Sequence, residues 1–150
     1  MKEIKIDYYQ KFRNSSLDTS AVGLNAGPEY SRSGATPENA RVIAWADHAG
    51  IHFCLKEGSD AIYVVCPEAP KKNAVQKIAA NFQEFMGLIL ACNHASLLWQ
   101  AHTMNRKAFE DQLKAAKPSM KQRSVLRAIS NIYHPTVIAD PYGYMKNFRK

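Results

Sequence analysis

Three short apolar runs, Val42 to Asp47, Ile51 to Lys56 and Ala61 to Cys66, follow one another across glycine-containing turns; from Asn81 onward the apolar positions change to helical spacing. This change of period predicts an antiparallel β-meander leading into helices, an α+β fold with a helical C-terminal half. In the second run Ile51, Phe53 and Leu55 alternate with His52, Cys54 and Lys56, so one face of that strand turns to a core. The third run is apolar on both faces, the pattern of a central or helix-covered strand. The turns Asp47-His48-Ala49-Gly50 and Glu57-Gly58-Ser59-Asp60 each hold a glycine able to take positive φ, and loops this short pair neighbouring strands. Pro67 and Pro70 are expected to end the sheet.

After residue 80 the pattern predicts four helices and a short terminal one. Asn81 with Glu84 reads as a capping box ahead of the stripe Phe82, Phe85, Met86 and Ile89. A second helix, from about Ala95 to Met104, turns Leu97, Leu98, Ala101 and Met104 inward. Asn105 caps a third with Phe109 and Leu113 on one face. Ser119 with Gln122 opens a fourth that buries Leu126, Ile129 and either Ile132 or Tyr133. Asp140 before Pro141 starts a terminal helix over Pro141 to Phe148.

The first 40 residues are the least regular. Ile4, Ile6, Tyr8, Tyr9 and Phe12 fit a short strand and a short helix alike. Leu17 to Asn39 reads as an ordered loop with turns, and its apolar Val22, Leu24 and Tyr30 are expected to pack on the sheet. No repeat or low-complexity tract divides the chain, and residues 1–150 are read as a single domain.

Composition changes this picture in three places. The longest uncharged stretch, Phe85 to Asn105, carries Asn93, His94, Ser96, Gln100, His102 and Thr103, which reads as two buried helices with a break and not as a membrane span. Met1 to Asp7 alternates charged and apolar residues, unlike a secretory signal. The odd number of cysteines, Cys54, Cys66 and Cys92, each among apolar neighbours, points to free buried thiols and a cytosolic setting.

Charge changes it further. Residues up to Met104 carry ten basic and ten acidic side chains, so the whole net charge of +7 lies in the last 46 residues. Arg106, Lys107, Lys114, Lys117, Lys121, Arg123 and Arg127 are read first as solvated helix faces. The alternative is a nucleic-acid-binding protein, in which these residues and the tail from Lys146 to Lys150 track phosphates while Tyr133, Tyr142, Tyr144 and Phe148 stack on bases.

Catalytic spacing is absent: the chain has no Gly-x-Ser-x-Gly elbow, no GxxxxGK[ST] and no GxGxxG. Asp47 near His48, and Glu57 near Asp60, lie in turns and read as solvated groups, so the chain is not expected to be an enzyme. His48, His52 and Cys54 suit zinc chemically. A fourth ligand would have to come from His94, His102 or Cys92, and no CxxC or helical HxxxH supports it; neither metal nor cofactor is expected.

The run Val42-Ile-Ala-Trp-Ala-Asp-His-Ala-Gly-Ile-His-Phe-Cys54, the strand ending Val65-Cys66-Pro67, the helix Asn81-Phe-Gln-Glu-Phe-Met-Gly-Leu-Ile-Leu-Ala-Cys92 and the ending Asp140-Pro-Tyr-Gly-Tyr144 together resemble bacterial members of the SUKH superfamily, named for fungal cell-wall-synthesis regulators and related immunity proteins. The resemblance covers roughly residues 41–148. It implies one antiparallel sheet flanked by helices, no cofactor, and a protein partner, often a bacterial toxin module to which the domain gives immunity. Immunity proteins that block nucleases tend to be acidic, whereas this chain is basic. The hairpin carrying Trp45, His48, His52 and Glu57 is expected to help line the partner-binding surface, since loops and aromatic side chains with a polar tip favour recognition; the competing reading of Trp45 is plain core.

Overall fold

A computed structural model describes residues 8–31, 34–48, 50–56 and 58–149. Ile4, Ile6, Ala49 and Glu57, which enter the expectations above, lie outside them. Strands β1 (Ala40–Trp45), β2 (His52–Lys56), β3 (Ile62–Val65) and β4 (Val75–Ala79) form one sheet in the order β1-β2-β3-β4, antiparallel throughout. The expected meander is present and β3 lies inside the sheet. Pro67 and Pro70, however, do not end it. They lie in the connection to β4, an edge strand bonded only to β3, in which Ile78 and Ala79 alone are fully buried. A strand that pairs on one side needs no alternating apolar run, so its period is silent. Ile43 and Ile78 are each the extra residue of a bulge, which places consecutive buried residues in β1 and in β4.

Of the two residue sets that alternate along β2 and β3, Phe53, Ile62 and Val64 join the large core closed by the helices. Ala40, Cys54 and Val65 form a smaller cluster covered by Ala35. The loop after residue 13 therefore does pack on the sheet, with Val22 and Leu24 buried. Tyr30 does not follow: it is 61% exposed, beside Arg41, because its neighbour Glu29 takes the inward position and its carbonyl accepts from Val42 N at 2.6 Å. Asn25 exchanges two backbone hydrogen bonds with Trp45, at 2.8 and 2.9 Å. This loop shields the outer edge of β1.

The helices are α1 (Tyr8–Arg13), α2 (Phe82–Cys92), α3 (Ser96–Gln100), α4 (Arg106–Ala115), α5 (Met120–Tyr133) and α6 (Pro141–Lys146); α2, α4, α5 and α6 start where the chain supplies side-chain caps, whereas α3 follows Ala95 without one. Ser119 and Gln122 make the full reciprocal box. Asn105 accepts from Ala108 N at 2.8 Å, and Asp140 from Gly143 N at 3.2 Å. Asn81 caps α2 through Glu84 N, but the Glu84 carboxylate returns to the Asn81 side-chain amide and not to its backbone, so this box is half made. The break predicted within residues 85–105 falls at Asn93, whose φ of 63° terminates α2. The second helix is shorter than expected: α3 tightens into a 3-10 turn over Ala101–Thr103, leaving Met104 half-buried. Among the described residues no helix is long and apolar enough to cross a membrane.

The Phe82 ring lies 5.9 Å from Tyr8, 5.8 Å from Phe12, 6.2 Å from Phe85 and 5.6 Å from Tyr133, and Phe85 lies 5.2 Å from Phe53 of β2. This one cluster joins α1, α2, α5 and the sheet. The segment after α5 then crosses α2 at Gly87. Thr136 N donates to Gln83 O at 3.2 Å, Gln83 Nε2 to His134 O at 3.2 Å, and a Cβ on Gly87 would stand 1.9 Å from the Thr136 carbonyl oxygen. Gly87→Ala is therefore expected to destabilise the fold by about 1–3 kcal/mol of overpacking, outweighing the gain of up to about 1 kcal/mol that alanine brings to a helix. Urea unfolding measures it; a variant more stable than the parent would show that the crossing is not tight.

Candidate binding site at the hairpin end of the sheet

The β1–β2 turn is closed by Ala46 N to Ile51 O at 2.8 Å and Ile51 N to His48 O at 2.9 Å, with Gly50 at φ 73°. Asp47, in that turn, accepts from Asn25 Nδ2 at 2.6 Å and faces His94 Nε2 at 3.7 Å. His94 sits just past the end of α2, its ring against Gly23, so the turn is fastened to the corner between α2 and α3. Burial holds the pKa of His94 below its ordinary value, against the opposing pull of Asp47.

This fastening brings His48 onto Trp99 of α3. The two rings stack at 5.5 Å with an interplanar angle of 10°. Beside them opens a pocket of about 230 Å³, with Ile51, Cys66 and Ala69 supplying apolar lining and Glu68, Gln100, His102 and Thr103 polar groups. An aromatic wall, a small apolar surface and a few polar groups form the usual composition of a site for one side chain or small ligand. Of the expected residues, His48 alone lines this pocket. Trp99, His102 and Thr103 were not anticipated. Their signal was readable all the same, because with Leu97, Leu98 and Ala101 turned inward these three stand three and four apart on another helix face.

Trp45 and His52 pair beneath the turn, ring centroids 4.6 Å apart. Trp45 is half-buried against Gly27 and donates from Nε1 to Pro28 O at 2.9 Å, so it holds the covering loop. His52 is 0% exposed and offers a partner no surface. Its Nδ1 donates to Gly50 O at 2.8 Å and its Nε2 accepts from the Thr36 hydroxyl at 3.0 Å, an arrangement that satisfies a neutral imidazole. Glu57 lies outside the described residues. Among those residues no group of three or more His, Cys, Asp or Glu side chains is arranged to hold a metal ion. Cys54, Cys66 and Cys92 are all buried, and burial pushes the thiols of Cys54 and Cys92 up to about 12.

The C-terminal aromatic residues are tied into the fold. Tyr133 is 0% exposed. Tyr144 OH donates to Glu84 Oε1 at 2.8 Å and accepts from Ala80 N at 3.0 Å. Tyr142 OH donates to Met104 O at 2.8 Å, while Arg106 and Lys146 lie 5.1 and 5.2 Å from the centre of its ring. Phe148 packs edge-on against Tyr144, with Lys77 4.8 Å above its ring. Arg106 forms a two-pronged pair with Asp140, at 3.0 and 3.1 Å, and also meets Glu110. Lys107 pairs with Asp111 and Lys121 with Asp18.

Compared with protein-family models, curated proteins and solved structures, the chain matches none of them.

The burial of His52 has a pH consequence. Desolvation lowers its folded-state pKa below the ordinary 6.5, so on acidification the unfolded chain takes up this proton first. Its contribution to stability is complete above 6.5 and is lost as the pH falls below that value; His94, also held low by burial, adds to the same slope. Urea unfolding at about pH 7.5 and about pH 5.5 is expected to show the loss, and His52→Gln, which retains polar groups for Thr36 and Gly50, to diminish it. An unchanged slope in the variant would assign the loss elsewhere.

Proposed function

We propose that this chain is a non-enzymatic protein-interaction domain of SUKH type that acts in toxin immunity or in regulation, in the cytosol. The observation that carries the reading is the exposed His48 ring stacked on Trp99 at the mouth of a pocket sized for one side chain. Tryptophan with a polar neighbour beside a small desolvated pocket is the composition in which binding energy concentrates at protein interfaces. The site is built from the β1–β2 turn, the connection after β3 and α3; Asp47, Asn25 and His94 fasten the turn to the corner before α3, so little ordering entropy is lost there when a partner binds. One antiparallel sheet flanked by helices is also what the resemblance implies.

The nucleic-acid reading is weaker on one specific point. Bases stack on exposed aromatic faces. Here Tyr133 is buried, and Tyr142, Tyr144 and Phe148 are engaged by carbonyl, carboxylate and cationic neighbours.

The test is calorimetric titration of the purified chain with the C-terminal module of a toxin-like protein encoded beside its gene. Submicromolar binding is expected, weakened about tenfold or more by Trp99→Ala, a loss of about 1.4 kcal/mol, and less by His48→Ala. A module bound equally well by parent and both variants would remove the pocket from the interface. A gene with metabolic neighbours and no such module would count against immunity.

A further inference from the structure

Next to the pocket, and joined to it by His102, runs a second concavity of about 380 Å³ at the exposed edge of β4. Lys72, Lys77 and Lys146 line it from three elements: the 3-10 turn Lys71–Asn73, strand β4 and the end of α6. Asn73, Val75, Gln76 and Phe148 add to the wall, and among the described residues no Asp or Glu lines it. Among the described residues none of these three ammonium groups has an Asp or Glu oxygen within 4.0 Å, whereas Arg106, Lys107 and Lys121, elsewhere on the surface, each do. Three uncompensated like charges drawn into one groove raise a local positive potential that an opposite charge relieves. Lys77 lies over the Phe148 ring, and that contact uses the aromatic face a nucleobase would need.

We infer that this groove takes a carboxylate-rich segment of the protein partner whose side chain enters the neighbouring pocket. The inference rests on the protein-interaction reading and adds the partner's chemistry: one anchoring side chain at Trp99, and beside it a run of Asp or Glu reaching Lys72, Lys77 and Lys146. Lys72 is exposed and Lys77 and Lys146 are half-buried, none of them sealed from solvent, so their share is expected in association rate and salt dependence more than in affinity at high salt.

The probes are a fluorescein-labelled Glu/Ser dodecapeptide, its Gln/Ser counterpart and a labelled oligothymidylate of equal length, followed by anisotropy at about 20 mM and about 150 mM salt. The acidic peptide is expected to bind the parent at low salt and the neutral one not to. Lys72→Glu/Lys77→Glu/Lys146→Glu is expected to weaken the acidic peptide by about tenfold or more. The Gln triple variant should weaken it less, and covers the case in which charge reversal disturbs folding. Equal binding of both peptides, or a triple variant that binds like the parent, overturns the inference. Oligothymidylate bound more tightly than the peptide at about 150 mM salt overturns it in favour of nucleic acid. The two readings fail separately: peptide binding lost in the lysine variants, with no partner module bound at all, sinks the protein-interaction site and keeps the groove; a module that needs Trp99 but ignores the lysines does the reverse.

Discussion

Everything in this fold hangs from the contact of Phe82 and Phe85 with the rings around them. Phe85 sets α2 against Phe53 in the middle of the sheet, and Phe82 gathers Tyr8, Phe12 and Tyr133 from helices distant in sequence. Each such pair contributes about 0.5–1.5 kcal/mol beyond the area it buries, and together they orient α2 as well as stabilise it. With α2 placed, the left-handed turn at Asn93 decides where α3 points. The binding pocket is a consequence of that direction, because Trp99 reaches His48 only from there. Gly87 serves the same arrangement by letting the chain after α5 close over α2.

The sheet has two edges, and the chain covers them by different means. At β1 the loop from Asn25 to Glu29 adds backbone hydrogen bonds and holds the Trp45 indole through Pro28 O, while Thr36 covers His52. At β4 the tail arrives with side chains: Tyr144 reaches Ala80 N, and Phe148 sits under Lys77. Side-chain cover leaves room where backbone pairing does not. The lysine groove occupies that room, and it abuts the pocket because the connection between β3 and β4 lines both.

The described basic side chains of the last 46 residues divide into those with a carboxylate partner and those without, the latter including Lys114, Lys117, Arg123 and Arg127 as well as Lys146. Arg106, Lys107 and Lys121 are neutralised locally, and Arg106 also fastens the cap of α6 through Asp140. Exposed pairs of this kind contribute little each. Lys146 belongs to the second group and lines one groove with Lys72 and Lys77, which come from the first 104 residues, where basic and acidic side chains balance. The functionally suggestive cluster is thus a product of folding.

Local order was legible in the sequence. Period-two alternation marked β2, caps at Asn105, Ser119 and Asp140 marked three helix starts, and the polar break at Asn93 separated α2 from α3, because each depends on neighbours a few residues away. Sequence also pointed to the β1–β2 turn, and His48 does line the pocket. It could not see that His52 would be buried under Thr36, that Tyr30 would face out, or that an edge strand would follow two prolines. Nor could it join His48 to Trp99, 51 positions apart, or Lys72 and Lys77 to Lys146. Those relations depend on how layers stack and where loops return, which a local pattern of apolar and polar residues does not encode.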